Sequence, residues 1–169
     1  MEKLMESDTW NAAAARVVKI IFQILNAEYV DVLLGLHDVR QMYDEVWSTM
    51  STNPNLIAEA AFYNIGAAAL NAAGAAGVEI NEENLVETLI RKQNDYGPEN
   101  IARFGRDGIL VRLHDKIARL ENLTASGRDP KNESVSDNYL DVIGYCSVGV
   151  MWETQEFLLP LTVVESNQE

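Results

Sequence analysis

The stretch GILVRLHDKIARLENLT, residues 108–124, decides the fold class. Leu110, Leu113, Ile117 and Leu120 recur at i, i+3, i+7 and i+10, which lines them up on one stripe of a helix. A strand would scatter the same set over both faces. Arg112, Lys116 and Arg119 stand at i, i+4 and i+7 and share a second face, with Asp115 one turn from both arginines. Neighbouring cations on a helix repel by roughly 0.2–0.5 kcal/mol per pair. A row of three therefore calls for anions opposite it, either phosphate or carboxylates.

The same period runs outward along the chain. Thr9 or Asn11 caps a predicted helix over residues 12–34, with Val17, Ile20, Ile21, Ile24 and Leu25 at helical spacing, and Gly35 breaks or bends it. Residues 36–49 place Val39, Met42, Tyr43 and Val46 on one face, and Pro54 marks a turn. Residues 60–78 carry no charge but consist mostly of Ala and Gly, with Asn64 and Asn71. Such residues contribute too little transfer energy for a membrane span and suit a closely packed helix ended by Gly74 and Gly77. Asn81 caps a helix over 82–94, Asp107 caps the one over 108–124, and Ser134 or Asn132 opens a last one running towards Phe157. No segment alternates with period two, so the fold class is all-α, a helical bundle.

Charge is divided unevenly. The 169-residue chain has a net charge of −13, yet nine of its thirteen Lys and Arg residues fall between Arg91 and Lys131. The overall sign disfavours duplex nucleic acid, and the basic span suits a small anion. A single cysteine, Cys146, forms no intramolecular disulfide, and the opening MEKLMESD lacks the pattern of a secretory signal, so a reducing cytoplasm is expected. His37 and His114 form no spaced metal motif, Cys146 has no nearby His, and there is no P-loop or dinucleotide fingerprint.

Carboxylates come from ESVSDNYLD, residues 133–141. Glu133, Asp137 and Asp141 stand at i, i+4 and i+8, a drift of about 80 degrees over two turns, and make one acidic ridge. Hard divalent cations take such oxygen ligands together with substrate phosphates. Asp137 also completes a capping box with Ser134, which accounts for it without a metal. Asp141 lies a turn deeper among Leu140, Val142 and Ile143, where it needs a partner: a metal or a salt bridge.

Three motifs in this order, K-x-x-D-Y-G (Lys92 to Gly97), R-L-H-D-K-I-A-R-L (Arg112 to Leu120) and E-S-x-x-D-x-x-x-D-x-x-x-Y (Glu133 to Tyr145), resemble the phage family called nucleotide modification associated domain 1, often grouped with MazG-like nucleotide pyrophosphohydrolases. The resemblance covers about residues 84–152. It implies an all-α, Mg²⁺-dependent (or Mn²⁺-dependent) enzyme that splits nucleoside triphosphates into monophosphate and pyrophosphate, in the host cytoplasm if phage-encoded. It departs from that pattern where E-E-x-x-E and E-x-x-D are expected, since the corresponding helices offer only Asp115, followed by Lys116, and Asn138-x-x-Asp141. Glu133, Asp137 and Asp95 are the available substitutes.

Two readings follow. In the enzymatic one, Asp137 and Asp141, with Glu133 and Asp115 in support, hold the metal and serve catalysis, while Lys92, Asp95, Arg112, Lys116 and Arg119 bind the substrate. In the other, the same face binds a nucleotide or nucleotide signal without cutting it, or serves a base-modifying system as an accessory subunit. A purely structural network of the cations with Glu133, Asp137 and Asp141 stands beside both. The expected organisation is an N-terminal helical region over 1–80, a nucleotide-binding helical core over 81–157 and a tail over 158–169. The apolar surplus of residues 10–78 suggests a homodimer or higher homo-oligomer.

Overall fold

The computed structural model describes residues 7–129 and 133–162. Among them are seven helices and no strand: α1 (Trp10–Glu28), α2 (Leu36–Thr52), α3 (Glu59–Ala75), α4 (Glu82–Tyr96), the short α5 (Glu99–Ala102), α6 (Gly105–Ser126) and α7 (Val135–Glu153). The all-α expectation holds. Thr9, Asn81 and Ser134 each cap a helix by accepting a backbone N–H, from Ala12, Asn84 and Asp137 respectively. The alternative cap Asn132 and the tail residues 163–169 lie outside the described residues, as do residues 1–6.

The boundaries that differ have tertiary causes. The first helix stops at Glu28 rather than near residue 34 because Asn71 of α3 holds the connection that follows. Its Nδ2 donates to the carbonyls of Tyr29 (3.2 Å) and Val32 (2.9 Å), and its Oδ1 accepts from Leu34 N (2.8 Å). Gly35 then precedes α2. The basic helix begins at Gly105, so Asp107 lies in its first turn and is not its cap. Arg106 anchors this earlier start by pairing with Glu153 and donating to the carbonyls of Pro54 (2.9 Å) and Leu56 (2.7 Å). The last helix ends at Glu153, where the amides of Glu156 and Phe157 turn back onto Met151 O at 2.8 and 3.0 Å.

Helix α3 runs through the middle of the molecule, with Phe62, Ile65 and Leu70 and most of its alanines buried. It packs on α7, α1 and α2, while α7 also packs on α6 and α1 on α4. Small residues set the spacing. A Cβ on Gly66 would lie 3.1 Å from Ile21 Cδ1 and 3.3 Å from Cys146 Cβ, and one on Gly149 would lie 2.6 Å from Phe62 Cδ1. Among the described residues no helix is long and apolar enough to cross a membrane. The N-terminal helices thus share one core with α4, α6 and α7. Part of the apolar surplus that suggested a subunit interface is spent inside the chain, where Trp10, Val17, Ile21, Phe62 and Ile65 are fully buried, while Val30, Leu33, Trp47 and Ile57 remain exposed.

Both ends of this core are tied together. Trp10 N donates to Pro160 O (2.9 Å), Asn11 and Thr162 exchange two hydrogen bonds (2.8 and 2.9 Å), and Arg16 forms a bidentate pair with Glu156. Burial alone would raise the Glu156 pKa, but the bonds from Arg16 and Thr154 outweigh it and hold the carboxyl below its ordinary range.

Gly149→Ala tests the spacing. Alanine favours a helix over glycine by about 1 kcal/mol, but its methyl would meet three ring atoms of the fully buried Phe62 at 2.6–2.7 Å. Overpacking costs about 1–3 kcal/mol. The melting temperature should fall by several degrees, at roughly 2–4 °C per kcal/mol for a chain of this size. A rise on calorimetry would show that the helices are not held at closest approach.

Candidate functional site

Helices α4, α6 and α7 converge on a cavity of about 300 Å³. The first and last of these run antiparallel: Lys92 meets Asp141, and a Cβ on Gly144 would touch Leu89 Cδ2 at 3.2 Å. Leu85, Leu89, Lys92 and Tyr96, spaced four, three and four apart, therefore give one face of α4 to the cavity. At the α4 terminus, Gly97 adopts φ 67°, which lets the chain leave the helix sharply before Pro98. Trp10 and Phe157, in edge contact with ring centroids 6.4 Å apart, also line the cavity.

The charged side is built around Asp141. One turn inside a helix whose neighbouring positions are apolar, its side chain is only 12% exposed, and each oxygen accepts from a different lysine. Oδ1 bonds Lys92 Nζ at 2.6 Å and Oδ2 bonds Lys116 Nζ at 2.8 Å. Lys116 is also 2.7 Å from Glu133 Oε2, and the same oxygen accepts from Arg119 at 2.7 Å. Burial acts to lower the Lys116 pKa, but the bonds to Asp141 and Glu133 outweigh it and keep the ammonium charged well into the alkaline range. The row of cations thus does meet carboxylates. Arg112 differs: it lines the cavity half-buried and has no acidic partner among the described residues.

The remaining sequence candidates go elsewhere. Asp137 accepts from Ser134 N (3.1 Å) and Ser134 Oγ (2.8 Å) in the capping box, and these bonds hold its carboxyl below the ordinary range. It does not line the cavity. Neither do Asp95 and Asp115, both exposed, nor Arg119, which reaches the site only through Glu133. Lys92, Arg112, Lys116, Glu133 and Asp141 are brought together as expected. Trp10 and Asn100 are wall residues that sequence reasoning missed. Trp10 stood in a region with no assigned site, and Asn100 in a short helix without periodicity.

The implied Mg²⁺ can be tested against this donor set. Both Asp141 oxygens and Glu133 Oε2 accept from ammonium or guanidinium groups, Asp137 is engaged by Ser134, and Asp115 is exposed and does not line the cavity. Among the described residues no group of three or more His, Cys, Asp or Glu side chains is placed to hold a metal ion. The arrangement suits an ammonium ion between two carboxylates and does not fit a divalent cation. No family model, curated protein or solved structure matches the chain.

Two measurements follow. Lys116→Met leaves Oδ2 of the nearly buried Asp141 without its cation, with Lys92 still on Oδ1, and leaves the half-exposed Glu133 to Arg119 alone. The ligand-free protein should lose about 1–3 kcal/mol, the cost of an unsatisfied buried group, and unchanged denaturant stability would refute the pairing. Asp137 has a pKa below its unfolded value, so its contribution is complete above about pH 4 and is lost as pH falls through the folded-state pKa. Asp137→Asn should therefore flatten the acid limb of the stability curve in urea titrations and leave the neutral limb parallel to that of the parent.

Proposed function

We propose that the cavity binds a small organic anion carrying a planar ring, and that this ligand is a nucleotide. The observation that carries this reading is the half-buried guanidinium of Arg112, turned to the cavity without a carboxylate of its own. Lys92, Arg112 and Lys116 face Glu133 and Asp141 there, leaving one positive charge in excess. An isolated cation in a confined space is costly, and an entering anion removes that cost. Most of the rest of the wall is aromatic or aliphatic, from Trp10 and Leu85 to Val148 and Phe157, with Thr88, Gln93 and Asn100 as its neutral polar members, and the volume lies at the lower end of the range of small-ligand sites, roughly 300–1,000 Å³. Guanidinium groups bind phosphate oxygens in pairs, which suits a phosphate better than a lone carboxylate.

This favours binding without hydrolysis as the primary activity. One observation supports the second reading, a metal-dependent pyrophosphohydrolase. Glu133 Oε2 and Asp141 Oδ2 flank a single ammonium nitrogen at 2.7 and 2.8 Å, so a ligand phosphate that drew Lys116 away would leave each carboxylate one cation short, Asp141 with Lys92 and Glu133 with Arg119.

Titration calorimetry with inorganic phosphate, deoxynucleoside monophosphates and triphosphates, with and without Mg²⁺ or Mn²⁺, separates the readings when pyrophosphate release is followed in parallel. Metal-independent binding without turnover is expected. Pyrophosphate release that requires the metal would establish the second reading, and no binding of any probe would overturn both. Arg112→Met should weaken nucleotide binding by about 1.5–3 kcal/mol, the range for a hydrogen bond to a charged group. It should leave the ligand-free melting temperature nearly unchanged, because no internal partner is stranded.

A further inference from the structure

Two residues that line the cavity each carry a buried polar atom with no hydrogen-bond partner among the described residues: Trp10 Nε1 and Asn100 Oδ1. Trp10 is 1% exposed, and an indole N–H with no acceptor in such a place is rare in a folded chain. The Trp10 ring is already fixed by its backbone bond to Pro160 and its edge contact with Phe157, so its N–H is not needed to place it.

The cavity has two unlike ends. Lys92, Lys116, Glu133 and Asp141 cluster where the C-terminal half of α4 meets the start of α7. Because these helices run antiparallel, Leu85 and Val148 continue the wall in the other direction. Phe157, just beyond α7, brings Trp10 to that second end.

Resting on the nucleotide reading above, we propose that Trp10 Nε1–H and the Asn100 side-chain amide are the recognition groups for the ligand's ring, reading an edge that carries an acceptor and a donor. Every nucleobase has such an edge, and a plain aromatic ring has none. The indole supplies the donor for a carbonyl oxygen or ring nitrogen, and Asn100 Oδ1 accepts from an amino or imino N–H. A site with buried polar groups discriminates strongly against an analogue that leaves them unpaired. The cationic end then sets affinity for phosphate, and the Trp10 end sets which phosphate esters stay.

The test uses the full chain and three probes in calorimetry: inorganic phosphate, phenyl phosphate and the four deoxynucleoside monophosphates. At least one nucleotide should bind tenfold or more tightly than phenyl phosphate, which offers a ring without a polar edge. Trp10→Phe keeps an aromatic ring in place and removes the N–H; it should weaken that nucleotide about fivefold to tenfold and leave phenyl phosphate within twofold. Asn100→Ala, at a half-buried position, provides a second variant should the first fail to fold, with the same pattern expected. If phenyl phosphate binds as well as every nucleotide, or the variants weaken both equally, the ring assignment is overturned while the anion site stands. If no probe binds, including phosphate, the nucleotide reading falls and takes this inference with it.

Discussion

A carboxylate inside an apolar helix is the constraint on which the site depends. Helix α7 is buried against α3 on one side and α6 on another, and Val142, Ile143, Cys146 and Val150 are fully covered. Asp141 sits in that helix with little access to water, where an ionised group without a partner would cost several kcal/mol. Two lysines from two different helices supply the compensation, one on each oxygen. Placing both ammonium groups there draws α4 and α6 towards the start of α7 and leaves the space between them lined by side chains of mixed character. The neutralised acid forms part of the cavity wall, and the excess charge there comes from Arg112, the cation on α6 one turn before Lys116.

The close approach of α3 to α7 supplies the rigidity that such a site requires. Gly149 brings the α7 backbone against the Phe62 ring and Gly66 brings the α3 backbone against Cys146 Cβ, so α7 cannot slide along α3 without forcing Phe62 out of its place. Close-packed interiors resist small displacements, and a functional group is held as accurately as the element that carries it. Asp141 therefore presents its two oxygens to α4 and α6 from the most deeply embedded helix in the molecule. The lysines come from the outer helices, which have fewer apolar contacts to give up if a ligand draws their side chains aside.

Local signals were legible in proportion to how local their cause was. Thr9, Asn81 and Ser134 cap their helices through bonds three residues long, and the stripe of Leu110, Leu113, Ile117 and Leu120 is buried as its period requires. Helix ends set by distant residues were not: Asn71 ends α1 from the middle of α3, and Arg106 begins α6 early through carbonyls some fifty positions away. The same division runs through the site. Asp137 as a cap was readable from Ser134 alone. Whether Asp141 faced metal or lysine depended on where α4 crosses α7, which no period reveals. Trp10 joins the wall only because Phe157 turns back to meet it, and a contact spanning nearly the whole described chain leaves no trace in either segment.

The clasp between residues 10–16 and 156–162 has a consequence for how the protein is made. During synthesis the first helix emerges early and its Trp10 ring has nothing to rest on, because Phe157 and Pro160 are among the last of the described residues to leave the ribosome. Until they do, one wall of the cavity is missing and Arg16 lacks its carboxylate. Nascent chains therefore carry the lysines and Arg112 before they carry the contact that closes this wall. A ligand of the kind proposed would thus act once this last contact has closed the wall, stabilising the native state by mass action.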